Sequence, residues 1–115
     1  MKIDDYEFGR LVVDGETYTS DVLIWPGGMD DSWWRDRGHS LCMDDLSELM
    51  DKDFDVLIIG TGARGVMNVP QDTLEQLEES CGEVHVATTD EACEKFNEMV
   101  EQGDRRVAAA LHLTC

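Results

Sequence analysis

A buried strand followed by a glycine-rich turn is encoded in Phe54-Asp-Val-Leu-Ile-Ile-Gly-Thr-Gly-Ala-Arg-Gly65. Residues 56–59 are apolar at every position, which is typical of a parallel strand that is covered on both faces. The glycines follow at the carboxyl end of that strand, where open α/β sheets usually bind their ligands. This stretch therefore predicts a layered α/β fold with a binding edge at the turn.

The three glycines have the G-x-G-x-x-G spacing of dinucleotide-binding proteins, but the residues that follow argue against that function. Such a site needs a helix that begins at the second glycine, so that its amides meet the phosphates. A helix beginning at Gly62 would contain Pro70 in its interior, at a cost of about 3 kcal/mol. We therefore predict that the helix begins at Pro70. Residues 60–65, the glycine loop, could still bind a smaller anion with their amides beside Arg64.

Hydrophobic periodicity predicts the remaining elements. A β-hairpin is expected over residues 6–25, because Asp14-Gly15 favours a tight hairpin turn, and Trp25-Pro-Gly-Gly28 should end it. Apolar residues recur at helical spacing over about 43–52, from Pro70 to Gly82, and over about 89–102, where Thr88-x-x-Glu91 has the pattern of a capping box.

Alternation over 83–88 and 105–114 predicts two further strands. The order of elements predicts one α/β domain spanning residues 1–115. We expect a three-layer arrangement with a mixed central sheet flanked by helices and preceded by an N-terminal β-hairpin.

The charge of the chain excludes several kinds of partner. The formal net charge is −17, and residues 71–104 contain eleven acidic residues and one lysine. Such a surface repels phosphate, so we expect neither nucleic-acid binding nor binding to anionic membranes. The lack of a long apolar run or a signal-like start favours a cytoplasmic protein. The acidity is compatible with a protein of a salt-rich cytosol, and equally with an acidic protein of a mesophilic cell.

Two further segments are candidate sites. Trp33-Trp34-Arg35-Asp36-Arg37-Gly38-His39 combines residue types that often anchor protein interfaces, and an indole–guanidinium stack could form within it. Alternatively, a tryptophan plugs the end of the sheet and Arg35 pairs with a nearby acid.

The tail, His112-Leu-Thr-Cys115, contains two potential metal ligands. Residues three apart in a strand point to opposite faces, and a metal would also need His39 or His85. The four cysteines lack zinc-site spacing, and Cys81 and Cys93 are expected to be buried thiols on predicted helices. The sequence therefore predicts no metal, no cofactor and no catalytic constellation.

Several motifs together resemble the adipogenesis-associated Mth-domain family, to which small archaeal and bacterial proteins and the mitochondrial complex I assembly factor 3 are similar. The resemblance spans nearly the whole chain and is carried by Trp25-Pro-Gly-Gly28, Trp34-Arg35, Gly38-His39, Ile59-Gly-x-Gly62, Val69-Pro70, Asn97, Val100-x-x-Gly103, Arg106-Val107 and the ending His112-x-Thr-Cys115.

The resemblance implies a three-layer α/β domain and no particular reaction, since members are uncharacterised or act as assembly factors that bind other proteins. The net charge of −17 departs from what the resemblance explains. The resemblance also implies a cleft formed by residues that recur in the family, to which we add Thr61 and Arg64 of the glycine loop. The expected cleft residues are Trp34, Arg35, His39, Gly60, Thr61, Gly62, Arg64 and His112.

Three functions are compatible with the sequence. The first is a non-catalytic interaction or assembly protein that contacts an unknown protein partner through residues 33–39 and the glycine loop. The second is a binder of a small anion or metabolite, or an enzyme, that uses the glycine loop with His39 or His112 as an acid or base. The third is a salt-adapted protein whose acidic surface only keeps it in solution. An edge hairpin and exposed tryptophans would also permit a homodimer.

Overall fold

The computed structural model describes residues 1–35 and 37–115. The larger of its two sheets contains β4 (Val22–Trp25), β5 (Gly28–Asp30), β6 (Val56–Thr61), β7 (Glu83–Ala87) and β8 (Val107–His112). The strand order is β5-β4-β8-β6-β7. β6 is parallel to both β7 and β8, whereas β4 is antiparallel to β8 and β5. The predicted mixed α/β sheet is therefore confirmed.

A smaller antiparallel sheet is formed by β1 (Ile3–Glu7), β2 (Arg10–Val13) and β3 (Glu16–Tyr18). Asp14 and Gly15 both have positive φ, 49° and 84°, as the predicted hairpin turn requires. The predicted return of the hairpin to residue 25 is wrong, because β4 leaves it and pairs with β8. Val22, Leu23 and Ile24 are consecutive and all buried. Such a strand needs a sheet with both faces covered, and the larger sheet provides this.

The described helices begin and end close to the predicted positions. A 3₁₀ turn (Met43–Leu46) leads into α1 (Ser47–Met50), so the predicted helix is two short turns. α2 (Gln71–Cys81) begins directly after Pro70 and ends at Gly82. α3 (Thr89–Gln102) ends at Gly103 in the left-handed conformation. The predicted capping box is absent from the described residues, because the Thr88 side chain makes no capping hydrogen bond.

Both faces of the larger sheet are covered. On one face, α3 and the smaller sheet pack on alternate residues of β6 and β8, with Phe96 at the centre. Asn97 of α3 exchanges two hydrogen bonds with the backbone of Ile3, at 2.9 and 2.7 Å, which fixes the smaller sheet to the helix. On the other face, α2, α1 and Trp33 cover the remaining residues of the same strands, which include Ala108 and Ala110.

None of the described helices combines the length and the apolar character that a membrane crossing would need.

We predict that Phe96→Ala lowers the free energy of unfolding by about 3–5 kcal/mol, because a fully buried aromatic side chain leaves a cavity. The matched control is Phe8→Ala, since Phe8 is 65% exposed and its truncation should change stability by less than about 0.5 kcal/mol. Urea denaturation of both variants measures the difference. Equal losses would contradict the assignment of Phe96 to the core.

Candidate functional site

The carboxyl edge of the larger sheet collects segments that are far apart in sequence. β6, β7 and β8 are parallel and end at this edge, and β4 begins there because it runs in the opposite direction. Asp21, the glycine loop, the start of α3 and the tail after His112 therefore meet at one place. This is the edge at which the sequence predicts ligand binding.

Asp21, Arg35 and His112 form a buried ionic cluster at this edge. Asp21 Oδ2 accepts a hydrogen bond from Arg35 Nη1 at 2.8 Å and lies 2.8 Å from His112 Nδ1. Its second oxygen, Oδ1, accepts from the Leu113 amide at 2.8 Å. Arg35 Nη2 donates to the Gly38 carbonyl at 3.0 Å and lies 3.0 Å from His112 Nδ1. One carboxylate thus holds an arginine, a histidine and the start of the tail.

The hydrogen bonds of this cluster set the ionisation of Asp21. Burial by itself would raise the pKa of this carboxyl. Hydrogen bonds from His112, from the Leu113 amide and from Arg35 outweigh burial and lower the pKa of Asp21 below its usual value. Asp21 is therefore ionised in the folded protein at neutral pH.

The segment that leads to Arg35 has side chains that alternate between the interior and solvent over residues 33–35. Trp33 is buried, and its indole Nε1 donates to the Asp45 carbonyl at 2.8 Å. The Arg35 guanidinium stacks on the Trp33 ring at 4.7 Å. The predicted alternative of a buried tryptophan beside a paired Arg35 is confirmed. Arg35 is therefore buried and paired with Asp21.

Trp34 faces the opposite direction and is 74% exposed. It borders a groove of about 420 Å³, which we call the acidic groove, lined by Leu23, Asp30, Ser32, Trp33, Trp34, Asp44, Asp45, Ser47 and Glu48. The groove is separate from the buried cluster, because the alternation within residues 33–35 places Trp34 on the far side of the segment. Trp34 thus does not share a cleft with His112.

The glycines of the loop provide space for neighbouring segments of the chain. A Cβ atom on Gly62 would clash with the Thr114 carbonyl oxygen, and one on Gly60 would lie 2.8 Å from Thr89 Oγ1. Thr89 Oγ1 also accepts a hydrogen bond from the Gly62 amide at 2.9 Å and donates to the His112 carbonyl at 2.5 Å. The glycine loop therefore packs closely against the start of α3 and against the tail.

Most amides of the glycine loop are already bonded within the chain. The Gly62 amide donates to Thr89, that of Ala63 to the Thr114 carbonyl, and that of Gly65 to the Gly62 carbonyl. The next amide, of Val66, donates to the Cys115 carbonyl. These donors are not available to an anion, and Arg64 lies exposed beside them. The Thr61 hydroxyl likewise donates to the Ala87 carbonyl.

The tail brings Cys115 back beside His112. β8 ends at His112, and Cys115 has a positive φ of 36°, so the expectation that the two residues face opposite sides of a strand is wrong. Ligating atoms of His39, His112 and Cys115 all lie within 4.8 Å of one another. His39 reaches this position because its carbonyl accepts the Asn68 amide at 2.7 Å, which fixes the segment to the glycine-loop side.

The structure therefore divides the predicted cleft residues. Arg35, His39, Gly60, Thr61, Gly62 and His112 meet at the carboxyl edge, whereas Trp34 and Arg64 lie on exposed surfaces. The predicted cleft did not include Asp21, Thr89 or Cys115, which also lie at this edge. Asp21 could not be singled out among 26 acidic residues. Asp36 lies outside the described residues.

Comparison with solved structures identifies the class of this domain. It is similar to the conserved hypothetical protein PH1505 from Pyrococcus horikoshii OT3, with a TM-score of 0.83, 29% identity and full coverage of both chains. It is similar to the protein MT938, with a TM-score of 0.79, 26% identity and coverage of 99% and 98% of the two chains. A Mth938-like domain protein from Bordetella pertussis shares the fold at 20% identity and a TM-score of 0.68, with coverage of 97% and 85%.

Residues 3–112 match a family described as protein of unknown function (DUF498/DUF598). The chain belongs to this family. The Mth-type part of the expected resemblance is thereby confirmed.

We predict that Asp21→Asn lowers the free energy of unfolding at pH 7 by about 3–5 kcal/mol, because it leaves the Arg35 charge buried without its partner. The control is Asp5→Asn, which removes an exposed pair with Arg10 and should cost less than about 1 kcal/mol. Urea denaturation measures both.

The loss caused by Asp21→Asn should shrink in acid. The folded-state pKa of Asp21 is lowered, so its stabilisation is fully present above the unfolded-state pKa of about 3.9 and disappears as pH falls through the folded-state pKa. A difference between wild type and variant that persists undiminished at pH values of about 2–3 would contradict an ionic role for Asp21.

We further predict that Gly62→Ala destabilises the fold by at least about 2 kcal/mol. Gly62 has a φ of +109°, and an added Cβ would meet the backbone of Thr114 and Cys115. Gly38→Ala is the control, since nothing lies within 4 Å of its Cβ position. Thermal denaturation compares the two, and a tolerated Gly62→Ala would show that the tail does not rest on the loop.

Proposed function

We propose that this protein is a non-catalytic interaction protein, of the assembly-factor kind, which binds a basic and partly apolar segment of another protein in the acidic groove. The observation that carries the proposal is the position of Trp34. Its indole is 74% exposed at the rim of the groove, although Trp33 and Arg35 on either side of it are buried. Tryptophan is among the residue types most enriched in the anchors of protein interfaces.

The charge of the groove supports a basic occupant. Four of its residues are carboxylates, Asp30, Asp44, Asp45 and Glu48. A side-chain hydrogen bond with Asp30, together with burial and the negative charge of Asp30, raises the pKa of the Glu48 carboxyl. Like charges held together in this way are relieved by a cationic partner. A lysine- or arginine-rich segment with one apolar residue against Trp34 would satisfy both features.

Two other occupants are disfavoured. A second copy of this chain also carries a net charge of −17 and would be repelled at moderate salt. A small anion at the glycine loop would find most of the loop amides already bonded to the chain. The resemblance to assembly factors is in line with a protein partner, but it is an argument from the fold alone.

Affinity capture from the source cells tests the proposal at native salt. Trp34→Ala should lower capture of a bound protein at least about tenfold, because it removes the exposed aromatic anchor at the rim of the groove. Phe8→Ala is the matched control, since it removes an aromatic side chain of similar exposure from another surface. Both variants should keep the thermal stability of the wild type.

A second pair of variants tests the charge. Asp44→Asn/Glu48→Gln should weaken binding of the captured partner and reduce its salt dependence. Glu78→Gln/Glu79→Gln makes the same change of charge on exposed residues of α2 and should leave binding nearly unchanged. A partner that binds equally well to Trp34→Ala and to Phe8→Ala would refute the groove as the contact surface.

A further inference from the structure

The carboxyl edge contains a second site that is independent of the acidic groove. We propose that His39, His112 and Cys115 bind one Zn²⁺ ion or a similar borderline-soft divalent metal. Ligating atoms of these three residues lie within 4.8 Å of one another. They come from three separate segments: the loop before α1, the end of β8 and the tail.

His112 is prepared as a metal ligand. Its side chain is buried, with only 6% of its surface accessible. Nδ1 lies 2.8 Å from Asp21 Oδ2, and among the described residues Nε2 has no hydrogen-bond partner. A histidine that donates one ring N–H to a carboxylate and has its other nitrogen free is the usual arrangement of a metal-bound imidazole.

The ionised Asp21 carboxylate favours the tautomer that a metal needs, because it only accepts hydrogen bonds and lies 2.8 Å from Nδ1. Arg35 only donates hydrogen bonds, and its Nη2 can be satisfied by the Gly38 carbonyl at 3.0 Å. Nδ1–H can therefore donate to Asp21, which leaves a lone pair on the buried Nε2. A buried lone pair without a donor is costly, and a bound cation would satisfy it.

Cys115 is held near the His112 ring by the glycine loop. Its carbonyl accepts the Val66 amide at 3.2 Å, and the Thr114 carbonyl accepts the Ala63 amide at 3.3 Å. Gly62 permits this approach, because its missing Cβ leaves room for the backbone of Thr114 and Cys115. The backbone of Cys115 is thus fixed by contacts within the chain and does not depend on a metal for its position.

His39 can close the site. It is exposed, and its ring centroid lies 6.1 Å from that of His112 at an interplanar angle of 64°. Zn–N bonds of about 2.0–2.1 Å and a Zn–S bond of about 2.3 Å place tetrahedral ligand atoms about 3.3–3.6 Å apart. Rotation of the exposed His39 side chain supplies most of the required contraction.

The donor set selects the metal. Two imidazoles and one thiolate suit Zn²⁺ and exclude the hard ions Mg²⁺ and Ca²⁺, which prefer oxygen ligands. Three protein ligands leave the fourth position for water or a ligand from a partner. On binding, the Cys115 thiol releases its proton to solvent.

Titration of the untagged full chain with Zn²⁺ tests the proposal, with a chromophoric chelator as competitor and at high salt to suppress binding to surface carboxylates. We expect one ion per chain with a Kd below about 1 μM. His39→Ala and Cys115→Ser should each raise the Kd at least about tenfold. His85→Ala and Cys42→Ser are the matched controls and should leave it unchanged.

Co²⁺ provides a second readout, because a bound thiolate produces a sulfur-to-cobalt charge-transfer absorption. This absorption should appear in the wild type and in His85→Ala, and it should be lost in Cys115→Ser. His39 is exposed, so His39→Ala should fold normally by circular dichroism. Absence of saturable Zn²⁺ binding, or binding that neither His39→Ala nor Cys115→Ser weakens, would overturn the site.

Discussion

The buried carboxylate of Asp21 is the constraint on which the carboxyl edge depends. It binds Arg35 from the segment between β5 and the 3₁₀ turn, His112 from the end of β8 and the amide of Leu113 from the tail. These partners lie 14, 91 and 92 positions away in sequence. A buried ion pair adds little net stability over an apolar alternative, but it is costly to break and it specifies one arrangement. The direction of the segment through Trp33 and Trp34 follows from this pairing.

That direction separates two surfaces with different chemistry. Trp33 and Arg35 are buried, whereas Trp34 between them points into solvent. The acidic groove therefore lies in solvent and has an aromatic rim, whereas the histidines and the tail lie at the carboxyl edge. The residues of the acidic groove and those of the proposed metal site therefore do not overlap.

Glycine has a packing role at this edge. Gly60 and Gly62 make room for Thr89 and the tail, and the loop amides bond to the chain itself. A glycine-rich turn after a buried strand is a common site for phosphate, but here the chain's own tail fills it. The same glycine motif can therefore form a phosphate-binding loop in one protein and a packing contact in another. The difference depends on which segment of the chain lies against the loop.

Local sequence was sufficient for the class of fold and for most element boundaries. The apolar run of β6, the Asp14-Gly15 turn, the start of α2 after Pro70 and the glycines that end α2 and α3 each follow from backbone sterics or periodicity within a few residues. Periodicity could not tell that β4 leaves the hairpin, because strand pairing depends on which distant strand offers a free edge. Periodicity also could not predict that Asp21, His39 and Cys115 lie close to His112. Their meeting depends on the parallel alignment of β6 and β8 and on a turn after β8, and contacts between segments so far apart leave no local signal in a chain with 26 acidic residues.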